Sequence, residues 1–143
     1  MGEGPLKAAM EAKVRELGLS DAVLFYGTSG HVEQLMQAMD ILLLPSHFEG
    51  LPIVGVEAQA SGLPVLFSEQ ITREANLSKH CAYLPINDGS VWRWHDQVSS
   101  WVVNTYDRAG VAERLEKKGY SINQTVRTFA ELYGMDPDGG AQP

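Results

Sequence analysis

Residues 40–67 read DILLLPSHFEGLPIVGVEAQASGLPVLF and contain the pattern that decides the fold. The apolar run from Ile41 to Leu44, closed by a Pro-Ser pair, is typical of a strand covered on both faces in a parallel sheet. Residues 53–61 then predict a helix that ends at a Gly-Leu-Pro stop, and Val65 to Phe67 predict the next strand. This alternation of strand and helix indicates an α/β domain.

The rest of the chain extends the pattern on both sides. Apolar residues at helical spacing predict further helices near residues 5–17, 32–39, 91–102, 111–115 and 122–133. Ala22 to Tyr26 predicts a strand before the central segment, and Ala82 to Leu84 predicts a weaker one after it. We therefore expect one domain over residues 1–135, followed by a disordered Gly- and Pro-containing tail at 136–143.

Charge and composition exclude some classes of function. The net charge is −7 over 143 residues, and Lys and Arg form no cluster, so we expect no nucleic-acid partner. The single cysteine, Cys81, has no partner for a disulfide, and no spacing of Cys and His predicts a metal site. With no secretion signal and no apolar run of membrane-spanning length, we expect a reduced, cytoplasmic protein.

Two glutamates frame the segment that follows the central strand. Glu49 precedes the predicted helix and Glu57 lies in its first turns, so both can face one cleft at the carboxyl end of the sheet. Unpaired amides from Gly50 to Val54, including those of Leu51 and Ile53, would hold a phosphate at the helix start, and the carboxylates would accept hydrogen bonds from sugar hydroxyls. Without this context, the pair would be read as two solvated side chains.

Short motifs over residues 2–87 occur in a specific order. They are Gly2-Glu3-Gly4-Pro5, Leu17-Gly18-Leu19, Val23 to Gly27, Asp40 to Ser46, Glu49-Gly50-Leu51-Pro52, Glu57-Ala58 and Ser61-Gly62-Leu63-Pro64-Val65. In this order they resemble the C-terminal domain of the family-four, or group 1, retaining glycosyltransferases, which have the two-domain GT-B fold. Residues 68–74 and 119–133 are most similar to its capsular and exopolysaccharide branch. The resemblance implies a Rossmann-like parallel sheet with flanking helices, as part of a C-terminal GT-B domain.

The resemblance also implies a role for each matching glutamate. Glu49 would be the catalytic residue that contacts the hydroxyls of the donor sugar, and Glu57 would bind the ribose of a UDP- or GDP-sugar. Family members usually retain the anomeric configuration and need no metal. The implied activity is a retaining hexosyltransferase with no cofactor besides its nucleotide-sugar substrate.

Other donor-binding positions follow by the same match. Gly50, Leu51 and Pro52 correspond to the loop whose backbone lines the sugar and diphosphate. Tyr26 and Gly27 correspond to a strand end near the nucleobase.

We expect family elements upstream of Gly2 to be missing. In the family a strand with a Gly-Arg motif and a nearby Lys grips the diphosphate, and an N-terminal domain contacts the acceptor. We therefore expect the chain to be inactive alone, and its parent to transfer sugar to a polysaccharide or glycolipid, as a cytoplasmic protein peripheral to the inner face of the membrane. The strand at Ala22 to Tyr26 would lose its neighbour, so it would either pair beside Ile41 to Leu44 or form a dimer or domain swap.

An alternative function belongs to another class. A noncatalytic α/β module for assembly or regulation would share the fold without using the glutamates. Trp92, Trp94 and Trp101 suggest a carbohydrate platform, but Trp94 and Trp101 share a helical face, which favours a core or interface role.

Overall fold

The computed structural model describes residues 3–102 and 107–136, and the chain divides into two compact units, Met1–Val32 and Glu33–Pro143. The described part of the first unit contains helix α1 (Lys7–Glu16), followed by turns and a run without regular secondary structure. Gly18, at a φ of 67°, follows α1 and takes the left-handed conformation that commonly ends helices. The predicted first helix is confirmed.

The strand predicted at Ala22 to Tyr26 does not form. These residues belong to no sheet of the described chain, so the prediction of a strand was wrong. Of the two alternatives given for this run, pairing beside Ile41 to Leu44 is not observed in the described sheet, and a dimer or domain swap stays a prediction. A strand exists only through hydrogen bonds to a neighbour, and no other strand is described in this unit. The apolar side chains of the run stay exposed, with Leu24 at 80%.

From Val32 onwards, strands and helices alternate before the chain ends in helices. The elements are α2 (Val32–Ala38), β1 (Leu42–Leu44), α3 (Ile53–Ala60), β2 (Val65–Ser68), a 3-10 turn (Arg73–Ala75), β3 (Cys81–Leu84), α4 (Val91–Val102), α5 (Val111–Lys117) and α6 (Ile122–Leu132). These elements confirm the predicted α/β class.

The three strands form one parallel sheet in the order β1-β2-β3. Leu44 pairs with Phe67, and Phe67 in turn pairs with Tyr83, so the carboxyl ends of all three strands meet at one edge. The sheet is Rossmann-like, as the sequence predicted. Only β2 is buried along its whole length. The expectation that Ile41 to Leu44 is covered on both faces was wrong, because Leu43 is 46% exposed and Leu42 and Leu44 are only half-buried.

Helix α3 lies close against β2. A Cβ atom at Gly55 would stand 2.7 Å from the ring of Phe67, so only glycine allows this approach. Phe67 is fully buried, which stabilises the fold by about 1.5–3 kcal/mol. On another side of α3, Val56 packs against a small core of Leu77, Val111 and Leu115 that joins α3 to α5.

The C-terminal helices expose apolar side chains. On and after α6, Phe129 and Tyr133 are 54% and 71% exposed, and their rings stack at 6.3 Å. Trp94 on α4 is half-buried and donates its indole N–H to the carbonyl of Pro85 at 2.8 Å. None of the described helices has both the length and the apolar character needed to cross a bilayer. Apart from Asp136, the predicted tail at 136–143 lies outside the described residues.

Candidate functional site

Glu49 lies in the loop between β1 and α3, at the edge where the parallel strands end. Its side chain is half-buried, and one carboxylate oxygen accepts a hydrogen bond of 3.2 Å from the hydroxyl of Ser46. The two residues are three positions apart, so the bond closes a local turn around the carboxylate. The loop therefore holds Glu49 in a defined direction.

A hydrogen bond joins the same loop to β2, the middle strand of the sheet. Ser68, the last residue of β2, is fully buried and donates its hydroxyl hydrogen to the carbonyl oxygen of Ser46. The parallel register places Leu44 beside Phe67, so the chain leaving β1 passes next to Ser68. A buried strand thus fixes the backbone from which Ser46 reaches Glu49.

Four backbone amides have no hydrogen-bond acceptor among the described residues where the loop enters α3. They are the N–H groups of Gly50, Leu51, Ile53 and Val54. The first hydrogen bond of the helix is made by the next amide, that of Gly55, to the carbonyl of Pro52 at 2.9 Å. Pro52 is the N-cap residue and has no N–H of its own. Free amides at the positive end of a helix dipole form a binding place for an anion.

Glu57 lies on the outer face of α3. It follows Ile53 by one helical turn, and both side chains are exposed, whereas Ala58 and Gln59 face the core. The carboxylate of Glu57 makes no hydrogen bond or ion pair with another described residue. Glu57 lies on the helix that follows the Glu49 loop. Its binding role, and the cleft that it was predicted to share with Glu49, stay predictions.

Gln59 connects α3 to residues 75–78 through side-chain hydrogen bonds. Its fully buried side chain donates to the carbonyls of Gly55 and Ala75, and its Oε1 accepts from the amides of Leu77 and Ser78, each at 2.8–2.9 Å. These bonds tie the helix to the segment between the 3-10 turn and β3. The helix that carries Glu57 is therefore fixed by polar contacts as well as by apolar packing.

Cys81 completes this buried polar cluster. Its thiol donates to Oε1 of Gln59 at 3.0 Å. Burial raises the pKa of the Cys81 thiol, and the hydrogen bonds of Ser78 and the charge of Lys118 offset only part of that effect. The thiol is held in its protonated form, which suits a structural rather than a nucleophilic group.

The charge around the loop is negative. Residues 45–58 contain two glutamates and neither Lys nor Arg. Within residues 45–58, the free amides and the dipole of α3 are therefore the groups that could attract an anion. Beyond the end of β1 lies an apolar hollow that neither glutamate lines, bordered by Leu43, Pro45, Ile86, Asn87, Ser90, Val91 and Trp94.

Tyr26 and Gly27 belong to the first unit of the chain. Tyr26 is half exposed, and Gly27 has a φ of 78°, a conformation that favours glycine. A Cβ atom at Gly27 would come within 3.2 Å of a carboxylate oxygen of Glu3. The conformation explains the glycine by itself, and the nucleobase role of both residues stays a prediction.

The fold and the loop together define a class of protein. It is a Rossmann-like α/β domain with unbonded amides at a helix start and a hydrogen-bonded carboxylate at the carboxyl end of its parallel sheet. Residues 1–120 match the family model of the group 1 glycosyl transferases. The chain belongs to that family.

Several relatives agree with this assignment. The chain is 31% identical over 138 residues to EpsF of Bacillus subtilis (strain 168), which bears a provisional assignment as a glycosyltransferase, and 39% identical over 159 residues to the Vi polysaccharide biosynthesis protein VipC/TviE of Salmonella typhi. It is 28% identical over 132 residues to the D-inositol 3-phosphate glycosyltransferase of Corynebacterium urealyticum. These alignments cover 96%, 96% and 90% of this chain but only 36%, 25% and 31% of the relatives. The chain thus spans about a third of these relatives or less, and EpsF and VipC/TviE are consistent with the capsular and exopolysaccharide resemblance.

Sequence reasoning missed three residues that organise the site. Ser46 was read only as the end of a strand, and Ser68 and Gln59 were not singled out. Gln59 carried a usable signal, because it is a polar residue on the core-facing side of α3, next to buried Ala58. The bonds of Ser68 and Gln59 join residues far apart in sequence, so no local pattern reveals them.

Proposed function

We propose that this chain forms the donor-binding part of a glycosyltransferase that moves a sugar from a UDP- or GDP-sugar to a polysaccharide or glycolipid acceptor. The observation that carries the proposal is the loop after β1, where four free amides lie beside a half-buried, hydrogen-bonded glutamate. Membership of the group 1 family supports it independently.

Each part of the loop suits one part of the donor. The amides of Gly50, Leu51, Ile53 and Val54 would bind the diphosphate, because a helix start favours negative charge. Glu49 would accept hydrogen bonds from the sugar hydroxyls and serve as the catalytic residue of the complete enzyme. Ribose hydroxyls would be bound by Glu57, and Tyr26 and Gly27 would lie near the base.

We also propose the stereochemistry, the acceptor site and the cellular location that the family resemblance implies. Transfer would retain the anomeric configuration, and protein donors would stabilise the leaving diphosphate without a metal ion. The acceptor would bind to an N-terminal domain of a longer protein, located in the cytoplasm at the inner face of the membrane. The chain alone would bind donor without transferring sugar.

Saturation-transfer NMR of the 143-residue chain tests donor binding directly. The ligands are UDP, UDP-glucose and GDP-mannose, because the method detects the millimolar affinity expected of a site without basic side chains. We expect saturation of at least one of the three. Glu57→Ala should weaken the ribose signals and the affinity about tenfold, since hydrogen bonds to a charged group are lost.

Glu131→Gln is the matched control, because it removes one exposed carboxylate from α6 and should leave binding unchanged. Equal losses in the control and in Glu57→Ala would contradict a specific role for Glu57. Silence with all three ligands would contradict the donor site and favour a noncatalytic module.

A further inference from the structure

We infer that Ser46 and Ser68 are positioning residues that set the direction of the Glu49 carboxylate and thereby govern recognition of the sugar rather than of the nucleotide. The inference rests on the proposed donor site and names two residues for it. Neither serine would contact the ligand itself.

The first step is the bond between the two serines. Ser68 is fully buried at the end of β2, the strand that is buried along its whole length. Its hydroxyl has a single described role, which is to donate to the carbonyl of Ser46. A buried hydroxyl with one acceptor favours keeping that bond, because breaking it would leave the Ser68 hydroxyl unpaired away from water.

The second step leads from Ser46 to the carboxylate. The side chain of Ser46 donates to Oε1 of Glu49 at 3.2 Å. A glutamate has three side-chain torsions, and one bonded oxygen restricts them while the other oxygen stays available as an acceptor. The chain of contacts therefore runs from a rigid strand to one functional oxygen.

The hydrogen bonds from Ser68 to Ser46 and from Ser46 to Glu49, called the relay, do not include the start of helix α3. The free amides of Ile53 and Val54 belong to the helix start, which is held by Pro52 and by packing of Gly55 against Phe67. Loss of the Ser46 hydroxyl should therefore disturb the carboxylate while these two of the four diphosphate amides stay in place. Sugar recognition and nucleotide recognition should separate.

The experiment compares the affinities for UDP and UDP-glucose, and for GDP and GDP-mannose, by NMR titration of wild type, Ser46→Ala, Ser46→Thr and Ser68→Ala. In the pair that binds wild type, Ser46→Ala should weaken the nucleotide-sugar about fivefold and leave the nucleotide unchanged, and Ser68→Ala should act in the same direction. Ser46→Thr keeps the hydroxyl and should restore binding of the sugar nucleotide.

Ser61→Ala is the matched control, since it removes a hydroxyl bonded to a helix carbonyl at 3.0 Å outside the relay. Equal weakening of nucleotide and nucleotide-sugar by Ser46→Ala would overturn the inference, because it would show a general structural role. Failure of the threonine variant to restore binding would overturn it as well.

A second readout needs no ligand. Three-bond couplings of the Glu49 side chain should show one dominant rotamer in wild type and averaging in Ser46→Ala. Averaged couplings already present in wild type would overturn the inference even where donor binds. A single rotamer together with no binding of any nucleotide or nucleotide-sugar would instead refute the proposed function, so the two failures are distinguishable.

Discussion

Replacing Gln59 with leucine should destabilise the protein more than any surface change. The substitution keeps a similar volume but removes every hydrogen bond of the amide. The carbonyl of Ala75 and the amides of Leu77 and Ser78 then lose their partners. The carbonyl of Gly55 is spared, because it can keep its bond within the helix.

The magnitude follows from the burial of those three groups. Ala75 and Leu77 are buried and Ser78 is half-buried, so water can relieve only the last. At about 1–3 kcal/mol for each unsatisfied buried group, the two buried ones cost about 2–6 kcal/mol together. That is a large share of the roughly 5–15 kcal/mol that stabilises a typical domain.

Urea unfolding followed by tryptophan fluorescence measures the effect. The midpoint should fall at an unchanged slope, while the exposed Gln124→Leu control on α6 should stay within about 0.5 kcal/mol of wild type. A loss below about 1 kcal/mol for Gln59→Leu would refute the claim that the amide network holds the helix.

Gln59→Glu separates hydrogen bonding from shape. It keeps the acceptor oxygen but turns the other oxygen toward the carbonyls of Gly55 and Ala75. Burial and repulsion should raise the pKa of the new carboxyl above its unfolded value of about 4.3. The unfolded state then loses its proton first as pH rises, so the variant should be nearest to wild type below pH 4 and fall behind above it.

Three further substitutions and one chemical modification test separate features of the chain. Gly55→Ala should cost about 1–3 kcal/mol in urea unfolding, because its Cβ meets the Phe67 ring at 2.7 Å. Gly50→Ala meets nothing within 4 Å and needs no positive φ, so it should leave stability equal or about 0.4–1 kcal/mol higher, yet weaken binding of UDP-glucose or GDP-mannose by NMR. Cys81 should react with iodoacetamide about tenfold more slowly in the folded than in the urea-unfolded chain, because burial raises the pKa of its thiol. The protonated thiol should contribute fully to stability below the thiol pKa of the unfolded chain, and this contribution should be lost as pH rises above that pKa. Leu24→Ser should lower any self-association seen by ultracentrifugation, and unchanged association would rule out a dimer through the exposed 22–26 run.

Punctuation by glycine and proline made the elements of the second unit predictable. The Gly62-Leu63-Pro64 stop lies where α3 ends, and Gly62 takes a φ of 71° there. Fully buried β2 follows at once. These signals are local, because a left-handed glycine and a missing amide act on the residues next to them.

Properties that depend on distant partners were not predictable in the same way. The run from Ala22 to Tyr26 has strand composition, but a strand requires a neighbour. The apolar run of β1 resembles that of β2, yet only β2 has strands on both sides. Likewise, the sequence predicts a glutamate beside a helix start, while the bond that secures its loop comes from Ser68.

Under the proposed function, the two glutamates differ in the cost of using them. Fixing a free glutamate side chain costs up to about 2 kcal/mol of rotamer entropy. Glu49 already loses part of this rotamer entropy on folding, because Ser46 holds one of its oxygens. Glu57 is exposed and makes no side-chain bond among the described residues, so it pays the cost when ribose binds. The sugar end of the site is therefore preorganised and selective, whereas the ribose end gains its order only from the ligand.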